Sequence, residues 1–401
     1  MPRPILRRFL HIWAAVLTVC LCVQAYSMLQ KGIVTYAFSD MFINYSGGFV
    51  RRGLLGSILL WLNAAGIDPV AAAMTVCIAA FAAVAAYIIR QFIRRGYDVA
   101  LLPVCFLLGS AGAYGFSFLR RDFIILAAFL IIMQLRKKLP HGWWIAAGNA
   151  LSVITILTYE PFVFFSLPFF IITTRLHTRS WLRSVAYWIP SAAAFLVCCK
   201  FSGDKAVYDA IWASVSGILP NPGIMDFFLK GSFDVIKFHA KMNFFKADCC
   251  VPNLLTSLVS LTAIVYYCIN AVPQFARRRI PDTFRPRMLL LLLCAILGQA
   301  PMFICLSTDY SRMFVYATVS AFIMLFSLSE EESGKLFPPA CHSLADRLLL
   351  RFDRILPPSQ AGIILVMLFI GVAAWTSLGI TDFMQKSGIG VVWRTATLLF
   401  H

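Results

Sequence analysis

The sequence predicts an all-α fold, a polytopic bundle of transmembrane helices. Three observations carry that expectation. Mean hydropathy is +0.80. Only 13% of residues are charged, where a soluble domain carries about 25%. Apolar runs approaching the roughly 20 residues of a bilayer crossing recur along the whole chain. Helices satisfy every backbone group within themselves, which makes them the default in a bilayer.

Taken in order, eleven spans are expected, at about 9–29, 68–89, 99–118, 123–135, 143–158, 161–174, 184–199, 252–271, 288–305, 313–328 and 361–379. The first follows a basic end, "MPRPILRRF", and its length reads as an uncleaved span rather than a signal peptide. Segments 123–135 and 161–174 are short and need neighbours or polar ends to reach across. Between the spans lie a first external loop at 30–67, a larger external loop at 200–251 and a cytoplasmic loop at 329–360. The whole chain reads as a single integral membrane domain. The twelve cysteines are scattered in apolar runs, without metal spacing or a disulfide framework.

Charge fixes the orientation. With the amino terminus in the cytoplasm, the cytoplasmic side holds 21 of the 35 Lys and Arg against 7 of the 18 acids, leaving 14 basic residues and 11 acids outside. The net charge of +17 then reads as the positive-inside rule. No nucleic-acid partner is implied; anionic phospholipid at the cytoplasmic face is. In "HSLADRLLLRFDRIL", Arg347, Arg351 and Arg354 run beside an apolar row of Leu344, Leu348, Phe352 and Ile355, the pattern of a helix lying on a membrane.

The external loops are short and nearly bare, so their charges stand out. Asp40, Arg51 and Arg52 lie between the first and second spans. Arg120, Arg121 and Asp122 lie between the third and fourth, Glu160 between the fifth and sixth, and Asp309 and Arg312 between the ninth and tenth. Glu160 has no local cation and therefore needs a partner from elsewhere or a shifted pKa. Arginine binds phosphate with a planar fork of donors, and a carboxylate serves as a general base or metal ligand. After Asp40 the chain runs "MFINYSGGFVRRG". Gly47-Gly48 allows a sharp turn or a close approach of backbone to a ligand. Leu54, Leu55, Ile58, Leu59 and Leu62 then repeat at helical spacing over too few residues to span, so a flat helix is expected. Arg51 and Arg52 stand at its start, where free N–H groups favour anions.

"GGFVRRGL" at 47–54, "RRDF" at 120–123, "YEPF" at 159–162 and "DYSRM" at 309–313 resemble signatures of a group of bacterial membrane proteins similar to GT-C-type glycosyltransferases and polysaccharide polymerases. GT-C enzymes carry an acid in the first external loop, followed by a membrane-parallel helix, and take sugars from polyprenyl phosphate or pyrophosphate. The resemblance implies a GT-C-like enzyme of the bacterial inner membrane acting on a lipid-linked sugar or glycan. It makes Asp40 the base and puts Arg51, Arg52 and Arg121 on the lipid phosphate. Glu160, Asp309 and Arg312 line the acceptor or complete the charge network, with Arg120 and Asp122 in the same substrate-binding set. No cofactor is expected. Some GT-C enzymes hold a divalent metal with paired acids, but Asp40 stands alone between Ser39 and Met41. Three rival classes share part of the pattern: an O-antigen-type polymerase, a transporter or flippase, and a non-catalytic scaffold. Span centres almost free of ionisable groups argue against an ion-coupled pump. The polar exceptions there are Asn149, Ser152 and Gln299.

Overall fold

The computed structural model describes residues 3–30, 38–101, 119–223, 225, 231–245, 247–307, 310–369 and 387–400. Among them every regular element is helical. In chain order the helices are α1 (Arg3–Gln30), α2 (Gly53–Ala64), α3 (Pro69–Arg95), α4 (Asp122–Leu135), α5 (His141–Thr158), α6 (Phe162–Thr178), α7 (Trp181–Ala186), α8 (Ile189–Lys200), α9 (Lys205–Val215), α10 (Ser232–Ala240), α11 (Ala247–Phe275), α12 (Phe284–Gly298), α13 (Tyr310–Ser327), α14 (Glu330–Leu336), α15 (Pro339–Ile355), α16 (Gln360–Phe369) and α17 (Gly388–Phe400).

Most expected spans coincide with helices, but not with full-length crossings. By length and composition Pro4–Gln24, Pro69–Arg95 and Ser257–Phe275 can each cross a membrane, and α15 with α16 would add a fourth if that pair is one broken span. Helix α4 has 14 residues and rises about 21 Å at 1.5 Å per residue, short of the roughly 30 Å of a hydrocarbon core. The expected span 184–199 is divided between α7 and α8, because Pro190 starts a new helix. Most of the expected third span, 102–118, and the end of the last, 370–379, lie outside the described residues. Helices α9, α14 and α17 were not anticipated. Helix α14 opens with a capping box, Ser329 and Glu332 each bonding the other's backbone N–H.

The chain divides into two compact units. One comprises 29–84 and 118–239. In it α5 packs against α4, α8 and α2, and α6 against α7. The core is aromatic: Phe129 faces Phe165, Phe169 and Phe170, and Phe170 stacks on Trp188 at 4.5 Å. Both buried indoles have their N–H satisfied, Trp144 by the Ile132 carbonyl and Trp188 by Thr174 Oγ1. Asn149 ties α5 to the start of α8: its Oδ1 accepts from Ser191 Oγ at 2.7 Å and its Nδ2 donates to the Tyr187 carbonyl at 2.9 Å. A polar residue at a span centre is here a helix-to-helix fastener.

The other unit comprises 1–28, 85–117 and 240–401. Helix α12 packs against α11, α13 and α15. Gln24 of α1 donates to the Val391 carbonyl and Thr395 Oγ1 of α17. The Asp98 carboxylate, with no exposed side-chain surface, holds Arg7 and His11 at 2.8 and 3.0 Å. Helices α15 and α16 meet at 83°, where Pro357 and Pro358 stop the first helix and the Tyr266 hydroxyl bonds the Pro357 carbonyl and the Ser359 N–H. The expected amphipathic segment is α15. It buries Ala345 and Leu349 and leaves Leu344, Leu348 and Ile355 exposed.

Candidate functional site

The site is built within the first of these units, from the loop ahead of α2 and the starts of α4 and α6. Asp40 sits in a single 3-10 turn, Ser39–Phe42, every residue of which is buried. Asn44 fixes the next bend. Its Oδ1 accepts from the Ser46 N–H, and its Nδ2 donates to the Phe42 carbonyl and to Ser214 Oγ. The glycine pair follows. Gly48 adopts φ +108, a region open to glycine. Gly47 lies so close to α9 that a Cβ would fall 2.8 Å from the Val207 backbone. The tight approach expected of this pair is therefore to the chain itself.

Helix α2 begins as the leucine spacing predicts and is 12 residues long. Gly53 and Gly56 seat it: a Cβ on Gly53 would collide with the Tyr45 ring, and one on Gly56 with the Ile43 carbonyl. Ahead of it, Arg52 has φ 66 and ψ 9, a left-handed conformation that costs a non-glycine residue about 1–3 kcal/mol and persists where the surroundings over-determine it.

Those surroundings are Glu160, Tyr159 and Asp40. Arg52 and Glu160 form a two-pronged ion pair, Nη2 to Oε1 and Nε to Oε2, both at 2.7 Å. The guanidinium also lies over the Tyr159 ring, 4.7 Å from its centroid. Burial by itself would push the Glu160 carboxyl up. The charge and hydrogen bonds of Arg52 override it and hold Glu160 at about 2. Burial likewise opposes the Arg52 charge, and Glu160 outweighs it, so Arg52 is raised above its ordinary value. The carboxylate that lacked a local cation in sequence has its partner 108 positions away.

Arg121, 1% exposed, is used differently. Its Nη1 donates to the Arg52 carbonyl at 3.1 Å and to the Thr158 carbonyl at 2.5 Å, and its Nη2 donates to the Asp40 carbonyl. One side chain thus gathers three backbone segments, the Asp40 turn, the start of α2 and the end of α5. Burial lowers its pKa and the Asp40 charge counters only part of that.

The Asp40 carboxylate stands between the two arginines, 3.7 Å from Arg52 Nη1 and 3.6 Å from Arg121 Nε. Both distances are ion pairs but exceed hydrogen-bond length. Asp40 is 9% exposed and its carboxylate takes part in no hydrogen bond among the described residues. Arg51 is buried beside the pair, within electrostatic reach of Glu160, and its N–H donates to the Phe201 carbonyl. Asp122, also buried, opens α4, and the half-buried Arg120 accepts a weak bond from Cys77 Sγ on its carbonyl. Four arginines against three carboxylates leave this loop cluster with one surplus positive charge.

The structure therefore brings Asp40, Arg52, Arg121 and Glu160 into contact, with Arg51, Arg120 and Asp122 on the adjoining residues. Asp309 lies outside the described residues. Arg312 stands in the first turn of α13, in the other unit, and its side chain is likewise outside them. Sequence reasoning missed Tyr159 and Tyr45. Among the described residues the buried Tyr45 hydroxyl has no hydrogen-bond partner, and burial pushes it up to about 12. Tyr159 lies inside the YEPF motif and Tyr45 inside the stretch MFINYSGGFVRRG, and that membership was the available signal. Among the described residues no three His, Cys, Asp or Glu side chains are placed to share a metal ion. Comparison of the chain with protein-family models, characterised proteins and solved structures finds no match.

Proposed function

We propose that the chain is a membrane glycosyltransferase. It takes a sugar from a polyprenyl-phosphate donor at the external face of a bacterial inner membrane, for cell-surface glycan assembly. The observation that supports this is the state of Asp40. Buried carboxylates are normally hydrogen-bonded. Asp40 instead faces two guanidinium groups across gaps of 3.6 and 3.7 Å, and its acceptor positions stay available. An acceptor hydroxyl placed there would meet a base within reach, a step worth about 10²–10⁴-fold.

In this proposal the other roles are redistributed. Arg52 is committed to Glu160, and Arg121 to three carbonyls. In this proposal both are positioning residues that set the Asp40 carboxylate, and Glu160 supports them. The donor phosphate would meet the net positive charge of this loop cluster, to which Arg51 and Arg120 contribute and which would stabilise the departing group. A polymerase moving a whole lipid-linked glycan would use the same residues. A scaffold role has one observation in its favour, the Arg52–Glu160 pair, which holds two loops together without any ligand.

The test is a deletion strain profiled for surface glycans and lipid-linked sugars, then restored with wild type or with Asp40→Asn at matched expression. The proposal expects a glycan that disappears, returns with wild type and stays absent with Asp40→Asn, while the accumulated precursor names the donor. Full restoration by Asp40→Asn would show that Asp40 is not the base. A profile that never changes would reject glycosyl transfer and leave transport to be tested.

A further inference from the structure

Helix α15 bounds a cavity of about 300 Å³ against α11 and α12, all within the second unit. Val265 and Ile269 of α11, Leu289 and Leu293 of α12 and Leu348 and Phe352 of α15 line it. Among the described residues the one lining side chain that is not hydrocarbon is Arg351.

The cavity has a definite depth. Val265 and Ile269 fall in about the last three turns of α11. The segment of α11 able to cross a membrane ends at Phe275, and Arg277, Arg278 and Arg279 follow it. Leu289 stands about one turn beyond Arg285 in α12. Both helices therefore line the cavity just inside their basic ends, the level at which acyl chains meet headgroups. Helix α15 closes it and meets α16 at 83°, the attitude of a helix lying along a membrane surface.

The charges of α15 are sorted about its axis. At about 100° per residue, Arg347, Arg351 and Arg354 fall within an arc of about 60°, beside the exposed Leu344, Leu348 and Ile355. Asp346 and Asp353 lie about 140–160° round from Arg351, and Asp353 is taken by Arg285. Arg351 is exposed and makes no hydrogen bond or ion pair among the described residues.

We propose that this cavity holds one acyl chain of an anionic phospholipid, with the lipid phosphate paired to the Arg351 guanidinium. The walls suit hydrocarbon, and a guanidinium offers phosphate a planar fork of donors. Charge complementarity selects the anionic lipid, because the cation of a zwitterionic headgroup would face Arg347 and Arg354. The sequence pattern implies anionic phospholipid along a whole membrane face; the cavity marks one place where a single molecule is held. The proposal uses no residue of the Asp40 cluster and stands independently of glycosyl transfer.

The experiment uses the purified full chain in neutral detergent, with phosphatidylglycerol and phosphatidylcholine of identical oleoyl chains as probes. Binding is read by native mass spectrometry and by the thermal midpoint. Phosphatidylglycerol should bind about fivefold or more tightly. Arg351→Gln should lower the affinity for phosphatidylglycerol by about fivefold and leave that for phosphatidylcholine unchanged. Arg183→Gln, at an exposed arginine of the other unit, should change neither. Val265→Phe, which fills the cavity, should abolish stabilisation by phosphatidylglycerol. Glycerol phosphate, the headgroup without chains, should not stabilise at matched concentration. Equal affinity for the two lipids would overturn the proposal. So would equal losses from the two arginine variants, which would reveal only a general positive field. Stabilisation by glycerol phosphate equal to that by lipid would make this a free-phosphate site and overturn it too, as would undiminished stabilisation of a folded Val265→Phe protein. If Val265→Phe fails to fold, Arg351→Gln, at an exposed position, still decides.

Discussion

Among the described residues there are two two-pronged arginine–carboxylate pairs of similar bond lengths. Arg52 meets Glu160 at 2.7 Å on both prongs, and Arg285 meets Asp353 at 2.6 and 2.9 Å. Their surroundings differ. The Arg285–Asp353 side chains are each 25% exposed and strap α15 to α12, a setting where water competes for both partners. The Arg52–Glu160 side chains are 7% and 12% exposed, and a further carboxylate, Asp40, lies beside them without a hydrogen bond among the described residues. A bonded ion pair is a fastener in either place. What marks the first region as a candidate site is the carboxylate that the fastener holds but does not use.

The comparison can be broken most forcefully at Glu160. Glu160→Ala leaves the Arg52 guanidinium buried without its main counter-charge, which should cost about 3–5 kcal/mol, read as a fall in thermal midpoint or folded yield in detergent. A loss below about 1 kcal/mol would mean that water reaches Arg52 freely. Gly56→Ala comes next. Its Cβ would collide with the Ile43 carbonyl oxygen, so the Asp40 loop or α2 must shift, at about 1–3 kcal/mol. Unchanged stability would show that the seat of α2 is loose.

Acid should separate the two regions further. The folded-state pKa of Glu160 lies below its ordinary value, so its contribution is complete above about 4.5 and is lost as pH falls toward about 2. Acid unfolding followed by tryptophan fluorescence should show this loss, and Glu160→Gln should flatten it across that window. A curve identical to wild type would remove Glu160 from the acid response. The smallest effect is expected at the exposed strap, where Asp353→Ala should cost no more than about 1 kcal/mol. A larger loss would erase the distinction between the two pairs.

Much of this was legible in the sequence, and the reasons are local. The charges in bare external loops, the short leucine-spaced helix at α2 and the need of Glu160 for a distant partner all follow from periodicity and from the cost of an isolated charge. The rest depends on backbones that only the folded chain brings together. The resemblance put Arg121 on a lipid phosphate, but the carbonyls of Asp40, Arg52 and Thr158 occupy its fork, and the Asp40 carbonyl is 81 positions away. Gly47 was open to a ligand in sequence and is closed by Val207 in the fold. Helix lengths were overestimated where a polar turn or Pro190 ended a run early.

The most direct measurement compares Asp40→Asn with Asp40→Glu, scoring surface glycan per unit of folded protein. The account predicts that both fold and both fail. Asparagine removes the base, and glutamate keeps the charge between Arg52 and Arg121 but displaces the carboxylate by about an ångström, which costs on the order of 10²-fold in a positioned reaction. Full glycan from Asp40→Glu at matched folded protein would contradict it, and would make Asp40 one more charge that holds the loops together.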